Sequence, residues 1–137
     1  MKNYIVLLVL FFSIFSCSDD SSSSEGIIDF SGTYEGVLNC SGELESETGE
    51  MFSIVISKSQ VEEVFDVDLG DGVIFQATIS NNVLVIDTQT HNAGGDSDVI
   101  TLSGTIKSTG ENNYAFDFQH EVDDEGMSNC TTELTKI

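Results

Sequence analysis

The sequence has no tryptophan, no proline and no arginine, and its cationic side chains are four lysines, Lys2, Lys58, Lys107 and Lys136. Against these stand 24 acidic side chains, for a formal net charge of −20 in 137 residues. A phosphate-binding surface needs clustered Lys or Arg to displace counterions, so nucleic acid is excluded as a partner. Anionic membrane surfaces are excluded as electrostatic partners by the same argument. Cationic partners, from metal ions to basic proteins, are favoured, although such a charge also serves simply to keep a small domain soluble. Long hydrophobic runs are scarce too. The run Tyr4 to Phe15 covers 12 residues, and a bilayer-spanning helix needs about 20. The length fits one domain.

That run follows a short positive start, Met1-Lys2-Asn3, and has the proportions of a secretion signal. It ends in Ile14-Phe15-Ser16-Cys17. These residues resemble the lipobox of bacterial lipoproteins, in which a small residue precedes the cysteine that is lipidated and becomes the mature N-terminus. Phe15 is larger than the residue that pattern prefers, which leaves ordinary signal-peptidase cleavage a residue or two later as the alternative. Residues 1–16 are therefore expected to be a signal peptide. Residues 17–26 are expected to be a lipidated Cys17 and a flexible tether, because Ser18-Asp19-Asp20-Ser21-Ser22-Ser23-Ser24-Glu25-Gly26 offers nothing apolar to bury. Acidic residues just after Cys17 are also similar to the surface-export signal of Bacteroidota lipoproteins. The resemblance implies a protein of the outer membrane or cell surface, anchored to the membrane through acyl chains on Cys17.

With Cys17 assigned to lipid, Cys40 and Cys130 remain. In an exported chain one leftover pair most simply forms a disulfide. Closing a loop of about 90 residues is worth at most roughly 4–5 kcal/mol in the chain-entropy model.

Residues 27–137 carry no 3.6-residue stripe. Period-two runs bounded by turn residues recur instead, and they predict eight strands. The first is Gly32–Cys40, with Tyr34, Leu38 and Cys40 on one face. Met51–Lys58 follows, with Phe52, Ile54 and Ile56 alternating with Ser53, Val55 and Ser57, and then Val64–Leu69, with Phe65, Val67 and Leu69. Gly70-Asp71-Gly72 makes a tight turn into Val73–Ile79, since Gly tolerates positive φ. Asn81-Asn82 turns into Val83–Asp87. Asp98–Lys107 is the sixth strand. The seventh puts Tyr114, Phe116, Phe118 and His120 on one face, and Met127–Lys136 is the eighth.

Eight strands joined mostly by short turns read as an antiparallel up-and-down meander, closed as a barrel or folded as a two-sheet sandwich. An immunoglobulin-type sandwich would want a core tryptophan and a tyrosine two residues before the second cysteine; there is no tryptophan, and position 128 is serine. In a closed barrel the first and last strands become antiparallel neighbours, which brings Cys40 and Cys130 to the same end. The fold expected is therefore all-β, an eight-stranded barrel stapled by a disulfide between its first and last strands. Phe30-Ser31-Gly32-Thr33-Tyr34-Glu35-Gly36 followed by seven more strands resembles the small lipocalin-like lipoproteins of Bacteroidota. Gly32-Thr33-Tyr34 stands where lipocalins carry Gly-x-Trp, so the resemblance implies that Tyr34 plugs the closed end. It also implies a binding protein for a small apolar ligand.

Meander topology sorts the connections by parity. Ser41–Glu50, Gly70–Gly72, Thr88–Ser97 and Val122–Gly126 share one end, and they collect Glu43, Glu45, Glu47, Glu50, Asp71, Asp96, Asp123, Asp124 and Glu125 into an acidic rim. The tether enters at the opposite end, so the rim faces away from the anchor. Rigid strands presenting such loops are a common way for folds of this kind to carry function.

Specific chemistry finds little support. Asp66-Val67-Asp68-Leu69-Gly70-Asp71-Gly72 has a partial likeness to an EF-hand loop, but its third acid falls one residue late and Ala77 stands where the twelfth ligand belongs. A hairpin accounts for it. His91 lies in the expected loop Thr88–Ser97 without a nucleophile elbow near it, and His120 follows an inward face. Two distant histidines do not make a zinc site. No enzyme activity, cofactor or resident metal is expected. The inward positions Tyr34, Phe52, Ile54, Phe65, Phe75, Tyr114, Phe116, Phe118 and His120 would line a ligand cavity, or fill the barrel as packed core. Two functions stay open: a small apolar ligand inside the barrel, or a cationic protein, such as a basic lysozyme to be inhibited, at the acidic rim.

Overall fold

The computed structural model describes residues 28–43, 47–70, 72–92, 98–123 and 126–137. The expected signal peptide, Cys17 and the tether lie outside these residues, as do Glu45, Asp71, Asp96, Asp124 and Glu125 of the expected rim.

The strands are β1 Gly32–Val37, β2 Asn39–Ser41, β3 Met51–Lys58, β4 Val64–Asp68, β5 Ile74–Ser80, β6 Val83–Asn92, β7 Val99–Ser108, β8 Asn113–Val122 and β9 Met127–Lys136. They form one antiparallel sheet in the order β1-β3-β4-β5-β6-β7-β8-β9-β2, and β1 also pairs with β9. That pairing closes the sheet. β1 and β2 are two halves of one barrel strand interrupted at Leu38, so the closed barrel is eight-stranded. The interruption has a local cause. Leu38 N–H donates to the Glu50 carbonyl at 3.0 Å and its carbonyl accepts from Gly49 N–H at 2.8 Å, so the connection to β3 takes its backbone groups. This architecture is compatible with a lipocalin-like fold.

Alternation along each strand sets the core. Ile54 and Ile56 of β3, Phe65 and Val67 of β4, Phe75 and Ala77 of β5, Leu84 and Ile86 of β6, and Leu102 and Ile106 of β7 all point inward and are buried. Gly104 of β7 sits opposite Phe118 of β8, and a Cβ there would lie 2.8 Å from the Phe118 Cβ. The missing side chain lets the two strands approach.

One end of the barrel is closed by aromatic rings. Phe30, just before β1, packs on Phe65 and Tyr114 with centroids 6.3 and 5.9 Å apart, and Tyr34 meets Tyr114 edge-on at 5.0 Å. The Tyr34 hydroxyl donates to the Phe30 carbonyl, and burial holds its pKa above the ordinary tyrosine value. Among the described residues the lysines Lys58, Lys107 and Lys136 are all at this closed end, where β3, β7 and β9 finish.

The Asn81-Asn82 turn is as expected, both residues adopting positive φ of 51° and 61°. Cys40 and Cys130 stand directly opposite each other with Cα atoms 4.1 Å apart and form a disulfide joining the first barrel strand to the last. Cys40 N–H donates to Thr48 Oγ1 at 2.9 Å and the same hydroxyl donates to the Cys40 carbonyl at 3.0 Å. Its backbone groups thus point away from β9, and the two cysteines occupy a narrow, non-hydrogen-bonded pair of the ladder.

One expectation fails in β6. The sequence predicts a loop from Thr88, but the strand runs on to Asn92. Between the pairs Ile86↔Gly104 and Gln89↔Leu102, β6 advances three residues while β7 advances two. That bulge inverts the parity of the strand. Leu84 and Ile86 face inward before it, and Gln89 and His91, paired with the inward positions Leu102 and Ile100, do so after it. β5 pairs with β6 only from Ser80 to Thr78. Beyond that, the Gln89 side-chain amide replaces the ladder. Its oxygen accepts from Gln76 N–H at 2.8 Å and its nitrogen donates to the Gln76 carbonyl.

Candidate functional site: a pocket in the open mouth

β3, β5, β7 and β9 begin at the end opposite the aromatic plug, and β4, β6 and β8 finish there. The inward alternation does not stop at the rim, so the last inward residues of several strands surround a space that the core does not fill. It is a pocket of 280 Å³. Its walls are Leu38, Leu69, Ile100 and Val122, the Cys40–Cys130 disulfide, and the rings of Phe52 and Phe118. Those rings lie nearly parallel at 5.8 Å and 19°, and Phe116 packs against both, 4.4 Å from Phe118 and 6.3 Å from Phe52. Glu47 and His120 add the polar groups.

Each wall residue follows from its strand. Phe118 and His120 alternate inward from the core of β8, and Val122 is the next inward position. The disulfide and the Leu38 interruption fix one wall, because Thr48 and Gly49 bond back to Cys40 and Leu38. That folding-back also sets Glu47, the residue before Thr48, against the pocket.

The structure divides the expected cavity-lining residues. Phe52, Phe118 and His120 line the pocket. Tyr34, Ile54, Phe65, Phe75, Tyr114 and Phe116 are buried in the packed interior. Leu38, Leu69, Ile100 and Val122 are lining residues that the sequence-based expectation misses. Their signal is present, since Ile100 and Val122 are the inward residues nearest the mouth in β7 and β8, Leu69 follows β4 in phase with Phe65 and Val67, and Leu38 precedes Cys40 on the same face.

Among the described rim acids, Glu47 alone lines the pocket. Glu43 lies over Gly126, whose Cβ would sit 3.2 Å from the Glu43 Cγ, so the first and last connections touch at the rim beside the β2–β9 pairing. Glu50 is exposed. Asp123 clamps two strands together at the rim. Its carboxylate accepts from Val99 N–H at 2.7 Å and its own N–H donates to the Val99 carbonyl at 3.0 Å.

Outside the pocket the mouth carries apolar side chains. Met51, Ile74, Val99 and Met127, the first residues of the four strands that begin there, are exposed by 70%, 49%, 37% and 53%.

His91 lies inside the barrel rather than on a loop, edge-on to Phe75 at 5.0 Å, and its Nε2 is buried without a hydrogen-bond partner. Among the described residues no three His, Cys, Asp or Glu side chains converge on a metal-binding position. No family model, no curated protein and no solved structure matches this chain.

Proposed function

We propose that this chain is an exported, lipid-anchored binding protein whose barrel takes up a small apolar ligand through its open mouth. The observation that carries the reading is the pocket itself: 280 Å³ walled by aliphatic and aromatic side chains, with a few polar groups at its edge. Ligand sites are concave and mostly apolar, with a small number of orienting polar groups. A barrel serving only as a rigid scaffold would gain by filling that space, because each unfilled apolar void forgoes packing. Residues 1–26 supply export and anchoring, and because the tether enters at the plugged end the mouth points away from the membrane. The protein works by binding rather than by catalysis.

The test is a titration with the neutral apolar fluorophore N-phenyl-1-naphthylamine. Saturable enhancement is expected for the native protein, and Val122→Trp, which fills the pocket from its rim, abolishes it. Enhancement that survives Val122→Trp, or none at all, refutes the reading.

A second reading is favoured by the exposed Met51, Ile74, Val99 and Met127 beside Glu43, Glu47 and Glu50. Apolar side chains amid carboxylates suit a cationic protein partner such as a basic lysozyme. Binding of that kind weakens with salt and on replacing Glu43, Glu45 and Glu47 by Gln. Insensitivity to both rules it out.

A further inference from the structure

We infer that the mouth pocket selects an apolar ligand bearing a protonated amine, and rejects carboxylates of the same shape. The inference rests on the ligand-binding reading above and names the class of ligand. Three features meet in one place. Glu47 is the one carboxylate among the described residues lining the pocket, and it stands at the edge of a wall that is otherwise apolar apart from His120. Phe52 and Phe118 put aromatic rings in the same pocket, and ring faces attract cations. The described lysines are all at the far end of the barrel, Lys58 closing β3, Lys136 closing β9 and Lys107 next to the end of β7. No lysine among the described residues is therefore placed to neutralise Glu47 or to receive an anionic head group.

The chemistry of recognition follows. An aromatic or aliphatic body displaces water from Leu38, Phe52, Phe118 and Val122, as in any apolar site. A primary ammonium at one end donates a charge-assisted hydrogen bond to the Glu47 carboxylate, which is stronger than a neutral one. A fatty acid or another carboxylate would bring its charge beside Glu47 inside a protein of net charge −20. No lysine stands near enough to offset that repulsion.

The experiment uses three probes of one shape, 1-naphthylmethylamine, 1-naphthylmethanol and 1-naphthoate, titrated calorimetrically into the oxidised protein and into Glu47→Gln. Glu111→Gln, at the closed end, serves as the control for the overall field of the protein. The amine is expected to bind about tenfold more tightly than the alcohol, the size of one charge-assisted hydrogen bond, and the naphthoate more weakly than both. Glu47→Gln removes the amine's advantage and leaves the alcohol unchanged, and Glu111→Gln preserves it. If the alcohol binds and the amine is no tighter, or if Glu111→Gln reduces the advantage as much as Glu47→Gln does, the inference fails and the ligand-binding reading stands. If none of the three binds, both fail.

Discussion

Gln89 holds Gln76 by both of its backbone groups, accepting from the N–H at 2.8 Å and donating to the carbonyl, where the β5–β6 ladder has already ended. One side chain thus bridges a split in the barrel wall that the bulge in β6 opens.

Gln89→Ala removes both hydrogen bonds to Gln76 and frees that seam. A loss of about 1–2 kcal/mol is expected, with the melting temperature falling by roughly 5 °C or more. Hydrogen exchange at the Gln76 amide should accelerate more than at the amides of β8. An unchanged melting temperature with unchanged exchange at Gln76 would contradict the bridging role.

The disulfide encloses residues separated by 90 positions. Reduction, or Cys40→Ser with Cys130→Ser, should cost up to roughly 4–5 kcal/mol in urea unfolding. It should also loosen the Leu38–Gly49 wall, so binding of N-phenyl-1-naphthylamine weakens in any reduced protein that stays folded. Full affinity in the reduced, folded protein would show that the staple does not shape the mouth.

Tyr34 titrates above the ordinary tyrosine value of 10.0 because burial disfavours its anion. The folded state therefore keeps a proton that the unfolded chain gives up. Stability from this group is complete below about pH 10 and is lost as the pH rises beyond it. Tyr34→Phe should unfold more readily near neutrality, by about 1–2 kcal/mol, since the Phe30 carbonyl loses its donor. Raising the pH past about 10 should shrink the difference between the two proteins. A difference that does not change with pH would exclude the buried hydroxyl as its source.

Gly36 lies in the closing pair of strands, opposite Leu134 of β9. A Cβ there would overlap the Glu133 carbonyl oxygen and stand 2.6 Å from Thr132 Oγ1. Gly36→Ala must push the closing strands apart, at a cost of about 1–3 kcal/mol. Gly110→Ala, whose Cβ would meet nothing nearer than 3.5 Å, is the control. Equal melting temperatures for the two variants would contradict the tight closure.

The barrel is legible in the sequence because alternation is its own signal. Phe52-Ile54-Ile56, Phe65-Val67 and Tyr114-Phe116-Phe118 each write period two in large side chains, and turns at Gly70 and Asn81-Asn82 mark the strand ends. The cysteine pair then places the closure. The extension of β6 is not legible. From Thr88 to Asn92 both faces are polar, so neither the strand nor the bulge that turns Gln89 and His91 inward leaves a hydrophobic trace. The pocket is half legible for a related reason. Parity tells which residues point inward, and thus includes Phe52, Phe118 and His120, but not how far the core fills the barrel. Filling depends on how Phe30 and Tyr34 pack on Phe65 and Tyr114 at one end, a relationship between distant segments that no local pattern encodes.

The proposed entry of a small apolar ligand at the open mouth is tested residue by residue in a ¹H–¹⁵N correlation spectrum of the oxidised protein titrated with N-phenyl-1-naphthylamine. Saturable shifts are expected at Leu38, Phe52, Ile100, Phe118 and Val122, with the amides around Phe30, Tyr34 and Tyr114 unmoved. Shifts concentrated instead at the plugged end, or no saturable shifts at all, would overturn the assignment of the mouth as the binding site.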